Sequence, residues 1–348
     1  MDDLSEKPIA ELSTIEAVRK RPGMYVGSTA FFGFINYLVC PIALLLGQRP
    51  SRVVVSTDDG GFIIASDVAL PIEETSGGRI SPFEEISNLG QGHGFEGTVL
   101  NALSERLMVE VQSEHRTETL AYRRGVREAR HATIHESSGP RTTLTFEPDA
   151  SIFTVTDLSP AIFKSYLRRL SFLHRGVRFS ISFGEETEEF YAERGVVDLF
   201  AAVSAPYQLL HEPIHLVAED GPLLLEAVFA FHSWKERGLW CFINNGRAVE
   251  GGTHEKGLDD ALDQIYREFK LPKMPKAHRN GVVGIMSIRY PNTVYEGCIK
   301  AKIGNPELRE MVCKLVAATA AKWLRSRPDV ARQLKDMQTF QFPEVWYK

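Results

Sequence analysis

Groups able to do acid–base, nucleophilic or metal chemistry are scattered along this chain, and its most apolar stretch has almost none. The four cysteines, Cys40, Cys241, Cys298 and Cys313, show neither paired nor metal-ligand spacing, which reads as free thiols in a reducing compartment. Among His174, His211, His215, His254 and His278, only His211 and His215 stand four apart. Pro213 lies between them, so no single helix face presents both, and no metal site is expected. The stretch "NYLVCPIALLLGQ" (36–48) has no acid, and no Asp or Glu occurs between Thr29 and Asp58. In that setting Cys40 reads as a small buried hydrophobe rather than a reactive thiol.

The elements that position these groups follow from spacing and punctuation. Ser13 and Glu16 have capping-box spacing, and Pro22-Gly23 stops the helix they open. Apolar residues over 34–46 predict a helix that Pro41 kinks or starts. "RVVVSTDDGGFIIASD" predicts a hairpin about Asp-Asp-Gly-Gly. Residues 73–95 are glycine-rich and loop-like, and "TVLNALSERL" (98–107) has helical spacing. "LMVEVQSEH", "TETLAYRRG", "REARHATIHE" and "RTTLTFEP" alternate as successive antiparallel strands, followed by an amphipathic helix over 159–176 and the strand "VRFSISFG". After a break near Pro206 come the strands "LLLEAVFAFHSW" and "LWCFINNGRAV", the helix "HEKGLDDALDQIYREF", the strand "VVGIMSIRYP" and a long helix opened by Pro306. Mixed sheets carrying helices make an α+β chain of two domains, for which 348 residues suffice.

Composition excludes several classes. With 40 basic and 45 acidic residues the net charge is −5, so no global field favours nucleic acid, and no DNA contact is predicted from charge. No apolar run approaches the ~18 residues of a membrane span. The opening "MDDLSEKPIAELS" is too acidic and polar for a secretory signal, so a cytoplasmic location is expected.

Five strings in order carry a family resemblance: "AVRKRPGMYVGST" (17–29), "VLNALS" (99–104), "LRRLSFLHRGV" (167–177), "FINNGRAVEGGTHEKG" (242–257) and "IKAKIGNPEL" (299–308). Together they resemble the N-terminal ATPase and transducer regions of the bacterial gyrase B subunit and its topoisomerase IV counterpart. The resemblance implies a GHKL-type (Bergerat) ATPase-like sandwich over 1–205 and a ribosomal-S5-like transducer domain over 206–348, with His254 in a structural turn. Such subunits continue into a metal-binding segment that has no match here, and the DNA-cutting tyrosine belongs to the partner subunit. DNA cleavage by this chain alone is therefore not expected.

In that family a glutamate on the second helix activates the attacking water, and an asparagine one turn later holds magnesium; water needs a base, and phosphoryl transfer needs its charge neutralised. Aligned from "GMYVGST", those positions fall on or near Cys40 and Leu44, and Asn36, the helix's only amide, lies N-terminal of them. The family's adenine-binding aspartate matches Asp67, read equally as a retained anchor or a strand-end turn residue. Val68 and Ala69 stand near its lost glycines. The phosphate-wrapping glycine turn matches "GQGHGFEG", which keeps Gly92, His93 and Gly94, while Glu96 stands where a glycine is expected. A carboxylate there repels phosphate, or alternatively complements a helix dipole. The family's Gln-Thr-Lys loop keeps only Lys300, after Cys298 and Ile299, either as a contact to an anionic ligand or as a solvated loop charge. Pro71 and Thr142 complete the implied ligand-facing set.

The leading expectation is thus a gyrase-B-like pseudo-ATPase without catalytic glutamate or magnesium ligand, using neither ATP nor Mg, and acting through a small-molecule ligand, a topoisomerase subunit or a second copy of itself. The family's dimerising arm carries a tyrosine, and none precedes Tyr25. One alternative is a new enzyme using Cys40, Asp67, His93 and Glu96 for acid–base or covalent chemistry. The other, an ATP-dependent topoisomerase subunit, meets the loss of base, metal ligand and glycine turn.

Overall fold

A computed structural model describes residues 12–58, 61–85, 94–136, 139–156, 159–232, 237–271, 281–296 and 302–336. The chain divides into two compact units: residues 1–168 with 177–190, and residues 169–176 with 191–348. The expected boundary at 205/206 falls inside the second unit.

The first unit opens with α1 (Thr14–Lys20), and its capping box forms as the spacing predicts: the Glu16 N–H donates to Ser13 Oγ, and the Ser13 N–H donates to the Glu16 carboxylate at 2.8 Å. Arg19 anchors this helix, donating to the Ala102 carbonyl at 2.6 Å and to Asp149, itself 1% exposed, at 2.7 Å. The short α2 (Gly23–Val26) leads to α3 (Phe31–Leu46), which runs straight through Pro41. Proline lacks the N–H for one intrahelical bond, yet the helix continues on both sides of the buried Pro41. β1 (Arg52–Asp58) and β2 (Gly61–Ser66) form the expected hairpin, with Val53 opposite Ser66 and Asp58 opposite Gly61. Small strands β3 (Glu73–Glu74) and β4 (Ile80–Ser81) pair with each other.

The helix expected over 98–107 is α4 (Glu96–Leu103), and it ends earlier than the spacing suggests because β5 (Ser104–Gln112) begins at once. In "SERLMVEVQ" the period-2 pattern wins: Leu107, Val109 and Val111 are buried while Met108 is exposed. β6 (Arg116–Arg123) and β7 (Val126–Ile134) continue the meander, and β8 (Arg141–Pro148) returns to pair with both β2 and β5. α5 (Pro160–Leu173) precedes β9 (Arg178–Phe183) and β10 (Glu186–Phe190), and β9 lies parallel to β1. The eight-stranded order is β10-β9-β1-β2-β8-β5-β6-β7.

The second unit holds α6 (Val196–Ser204) and a five-stranded sheet built from β11 (Ile214–Asp220), β12 (Leu223–Phe231), β13 (Gly238–Ile243), β14 (Gly246–Arg247) and β15 (Val282–Arg289), in the order β11-β12-β15-β13-β14. β13 and β14 join through Asn244-Asn245, both at positive φ, which a two-residue hairpin loop of this hand requires. Asn245 also accepts from His174, Nε2 to Oδ1 2.7 Å, so the strings "LRRLSFLHRGV" and "FINNGRAV" meet in one buried contact. α7 (Thr253–Glu268) follows Gly252, where a Cβ would come within 2.3 Å of the Ile303 carbonyl oxygen. Here glycine lets "GGTH" lie against the small pair β16 (Tyr295–Glu296) and β17 (Lys302–Ile303). The expected long helix is α8 (Pro306–Arg325), and Pro328 opens a further helix, α9 (Pro328–Asp336).

Candidate functional site

α3 is held from its first turn. Asn36 Nδ2 donates to the Val26 carbonyl at 2.9 Å, and the Gly33 N–H donates to Ser28 Oγ at 3.2 Å. A Cβ on Gly33 would sit 1.7 Å from the Ser28 carbonyl oxygen, so the loop after α2 reaches the helix only because residue 33 has no side chain. One helical face is then buried: Phe34, Tyr37, Leu38, Ile42, Leu44, Leu45 and Leu46 are all at most 1% exposed. The open stripe runs Phe32, Asn36, Cys40, Ala43, with Phe32 79% exposed and Cys40 half-buried.

Cys40 and Leu44, on or near which the base and metal-ligand positions are expected, part company. Cys40 lies at the border of the open stripe, its thiol donating to the Asn36 carbonyl at 3.3 Å. Leu44, 1% exposed, faces the core. The polar pair one turn apart on the open stripe is Asn36 and Cys40, and neither is a carboxylate. On the buried side, Tyr37 Oη lies 2.7 Å from Ser104 Oγ, and Ser104 donates to the Leu100 carbonyl at 2.6 Å. Burial pushes the Tyr37 phenol well above its usual range despite the bond with Ser104, so it is no proton carrier near neutrality.

Asp67 follows β2 and clamps the start of β1. Its carboxylate accepts from the Ser51 N–H and the Arg52 N–H, each at 3.0 Å, and from the Ser51 hydroxyl. Partial burial raises its pKa, but the bonds from Ser51 and Arg52 outweigh that, and the net shift is downward. The arrangement is that of a strand-end carboxylate. The fully buried Thr142, on β8, accepts from the Leu70 N–H at 3.0 Å and donates to the Val68 carbonyl at 2.7 Å, tying down the loop that leads to the half-buried Pro71.

At α4, Glu96 is the first helical residue, after Phe95 at the N-cap and Gly94 at φ 77°. Gly92 and His93 lie outside the described residues, as do Lys300, Cys298, Ile299 and His278. The helix is laced to the segment before them: Thr98 donates to the Pro82 and Glu85 carbonyls at 3.2 and 3.0 Å, and Asn101 to the Phe83 carbonyl at 3.0 Å. Of the residues considered for new chemistry, Cys40, Asp67 and Glu96 sit on α3, after β2 and on α4. They form no three-group ligand cluster among the described residues.

The second unit does bring such groups together, at a place the spacing hid. Cys241 on β13 and His254 and Glu255 in the first turn of α7 offer ligand atoms all within 4.8 Å of one another. Cys241 is 2% exposed and His254 fully buried. The usable signal was adjacency: His254-Glu255 opens a helix that packs on a cysteine-bearing strand. His211 and His215 are otherwise engaged. His211 Nδ1 is 2.6 Å from the Glu212 carbonyl oxygen and Nε2 accepts from the Phe231 N–H at 3.0 Å, while His215 meets Glu226 at 3.0 Å.

Comparison with known proteins accounts for this architecture. The sequence model of the DNA gyrase B family matches residues 195–341. The DNA gyrase B protein of Halalkalibacterium halodurans is 29% identical over 372 residues, covering 95% of this chain and 58% of that protein. The chain thus spans a little under three fifths of this curated relative's length. The 43K ATPase domain of Thermus thermophilus gyrase B, solved with an aminocoumarin, superposes at TM-score 0.76 with 23% identity and 94% of each chain covered. The topoisomerase IV ATP-binding domain of Francisella tularensis, solved with a small-molecule inhibitor, gives TM-score 0.73 at 21% identity, covering 95% of this chain and 97% of that one. The chain resembles the ATPase and transducer region of these proteins, and its fold is the α+β GHKL-type sandwich with the second, transducer-like unit.

Proposed function

We infer that this chain is a gyrase-B-like module that does not hydrolyse ATP and acts by binding, with a small molecule or a protein partner as its ligand. The observation that supports this reading most is the open stripe of α3, where Asn36 and Cys40 stand and Leu44 is turned inward. A positioned general base contributes about 10²–10⁴ in rate, and a neutral thiol already donating to the Asn36 carbonyl does not take a proton from water. Without an amide or carboxylate at position 44, the helix lacks a magnesium ligand on that turn, and the triphosphate charge goes uncompensated there. Glu96 at the start of α4 adds negative charge where phosphate would approach.

The division into an ATPase-like part over 1–205 and a transducer part over 206–348, a cytoplasmic location, and a second copy or a topoisomerase subunit as protein partner belong to the same reading. A small-molecule ligand gains support from the two solved relatives, one described with an aminocoumarin and the other with an inhibitor. Calorimetric titration with a non-hydrolysable ATP analogue and magnesium tests the nucleotide side. The reading expects no binding heat, and a micromolar association would return the chain to the nucleotide-using class.

A further inference from the structure

We propose that Cys241, His254 and Glu255 form a binding site for one divalent transition-metal ion of the zinc class, clamping the N-terminus of α7 to β13. The donor set is one sulfur, one imidazole nitrogen and one carboxylate oxygen, the mixture that suits zinc rather than magnesium or calcium, and three protein ligands leave a fourth position for water or another group. The three ligand atoms already lie within 4.8 Å of one another. Metal–ligand bonds of about 2.0–2.3 Å put tetrahedral ligands roughly 3.3–3.8 Å apart, so a small inward rotamer adjustment closes the site.

The second, independent observation is His254 itself. Its side chain is fully buried, and neither Nδ1 nor Nε2 has a hydrogen-bond partner among the described residues. Leaving a buried polar group unsatisfied costs about 1–3 kcal/mol, and a metal ion on one ring nitrogen removes that penalty. The turn that carries the histidine is fixed from both sides: the Ile303 N–H donates to the Gly251 carbonyl at 3.0 Å, and Gly252 lies against the Ile303 backbone. Glu255 folds back over Gly251, where an added Cβ would come 3.0–3.1 Å from its carboxyl group.

Metal-free, Cys241 is a buried thiol close to the Glu255 carboxylate. Binding replaces the thiol proton: the sulfur–hydrogen bond breaks, the proton leaves to solvent, and sulfur–metal, nitrogen–metal and oxygen–metal bonds form. A dication with one thiolate and one carboxylate is electrically neutral, which lowers the cost of placing it in a largely buried site. Arg237 is the positive charge acting on all three groups, and its guanidinium is engaged by Asp259 at 2.7 Å.

The test is a cobalt titration of the full chain after chelator treatment and desalting. The site predicts one equivalent of Co²⁺ giving a thiolate-to-cobalt charge-transfer absorption in the near ultraviolet, bleached by one equivalent of Zn²⁺. C241S should abolish that absorption. E255Q, at a half-buried residue and checked by circular dichroism for an intact fold, should weaken cobalt binding more than about tenfold. Absence of the band in the unmodified chain overturns the proposal. So does a band that survives C241S, since it would come from another cysteine, and so does unchanged affinity in folded E255Q.

Discussion

At position 44 a leucine packs into the core, and at position 40 a thiol bonds to its own helix. These two side chains carry the functional reading. Their types were legible in the sequence, but which of them faces outward was not, because an apolar helix gives no contrast between its faces. The strand-end reading of Asp67 was open in the sequence, but its partners Ser51 and Arg52 were not, because the clamp joins the ends of two strands. The buried His174–Asn245 contact joins two strings singled out on resemblance alone, and neither string marks the pairing. It carries a pH prediction. Burial first, and the Arg289 charge second, depress the His174 pKa from 6.5 to about 3, against the bond from Asn245. The unfolded chain then binds the proton that the folded chain excludes, so stability falls as pH drops below about 6.5 and continues to fall toward about 3, by up to about 1.4 kcal/mol per pH unit. Urea unfolding at pH 7 and pH 5 should show a smaller loss in H174N than in the unmodified chain. An equal loss in both would remove His174 as the cause.

The elements were read more surely than their ends. The capping box, the β1–β2 hairpin and the alternating strands follow from local patterns that tertiary packing reinforces. Where two periods overlap, as over 98–107, the helical spacing of "TVLNALS" gives way to strand alternation from Ser104 onward, since pairing with β8 and β6 rewards every second residue. α6, β10 and β11 are bounded by Gly195, Gly184, Pro213 and Gly221, so their ends are marked in the sequence while their types are not. One element-scale prediction concerns the approach of the loop after α2 to α3. A methyl group at position 33 meets the Ser28 carbonyl oxygen at 1.7 Å, an overlap no rotamer relieves because the obstructing atom is backbone. G33A should therefore destabilise by about 1–3 kcal/mol or more, although alanine is the better helix former. A denaturant midpoint equal to or above that of the unmodified chain would show that the loop moves aside freely.

On the scale of the whole chain, scaffold and chemistry separate. The fold of the chain is that of gyrase B ATPase and transducer regions, and the solved relatives superpose over more than nine tenths of the chain. The residues on which the proposed loss of hydrolysis rests lie on α3 and at the start of α4. A fold comparison follows the scaffold and does not report on that chemistry, for which the proposal relies on the buried Leu44. The most direct measurement is steady-state phosphate release from ATP by the purified chain, with and without magnesium, alongside the C40E/L44N pair. The account predicts no magnesium-dependent release above the buffer rate from either protein, because Glu96 still opens α4 and the inward-facing position 44 presents nothing to a metal ion. Sustained magnesium-dependent turnover by the unmodified chain would contradict it.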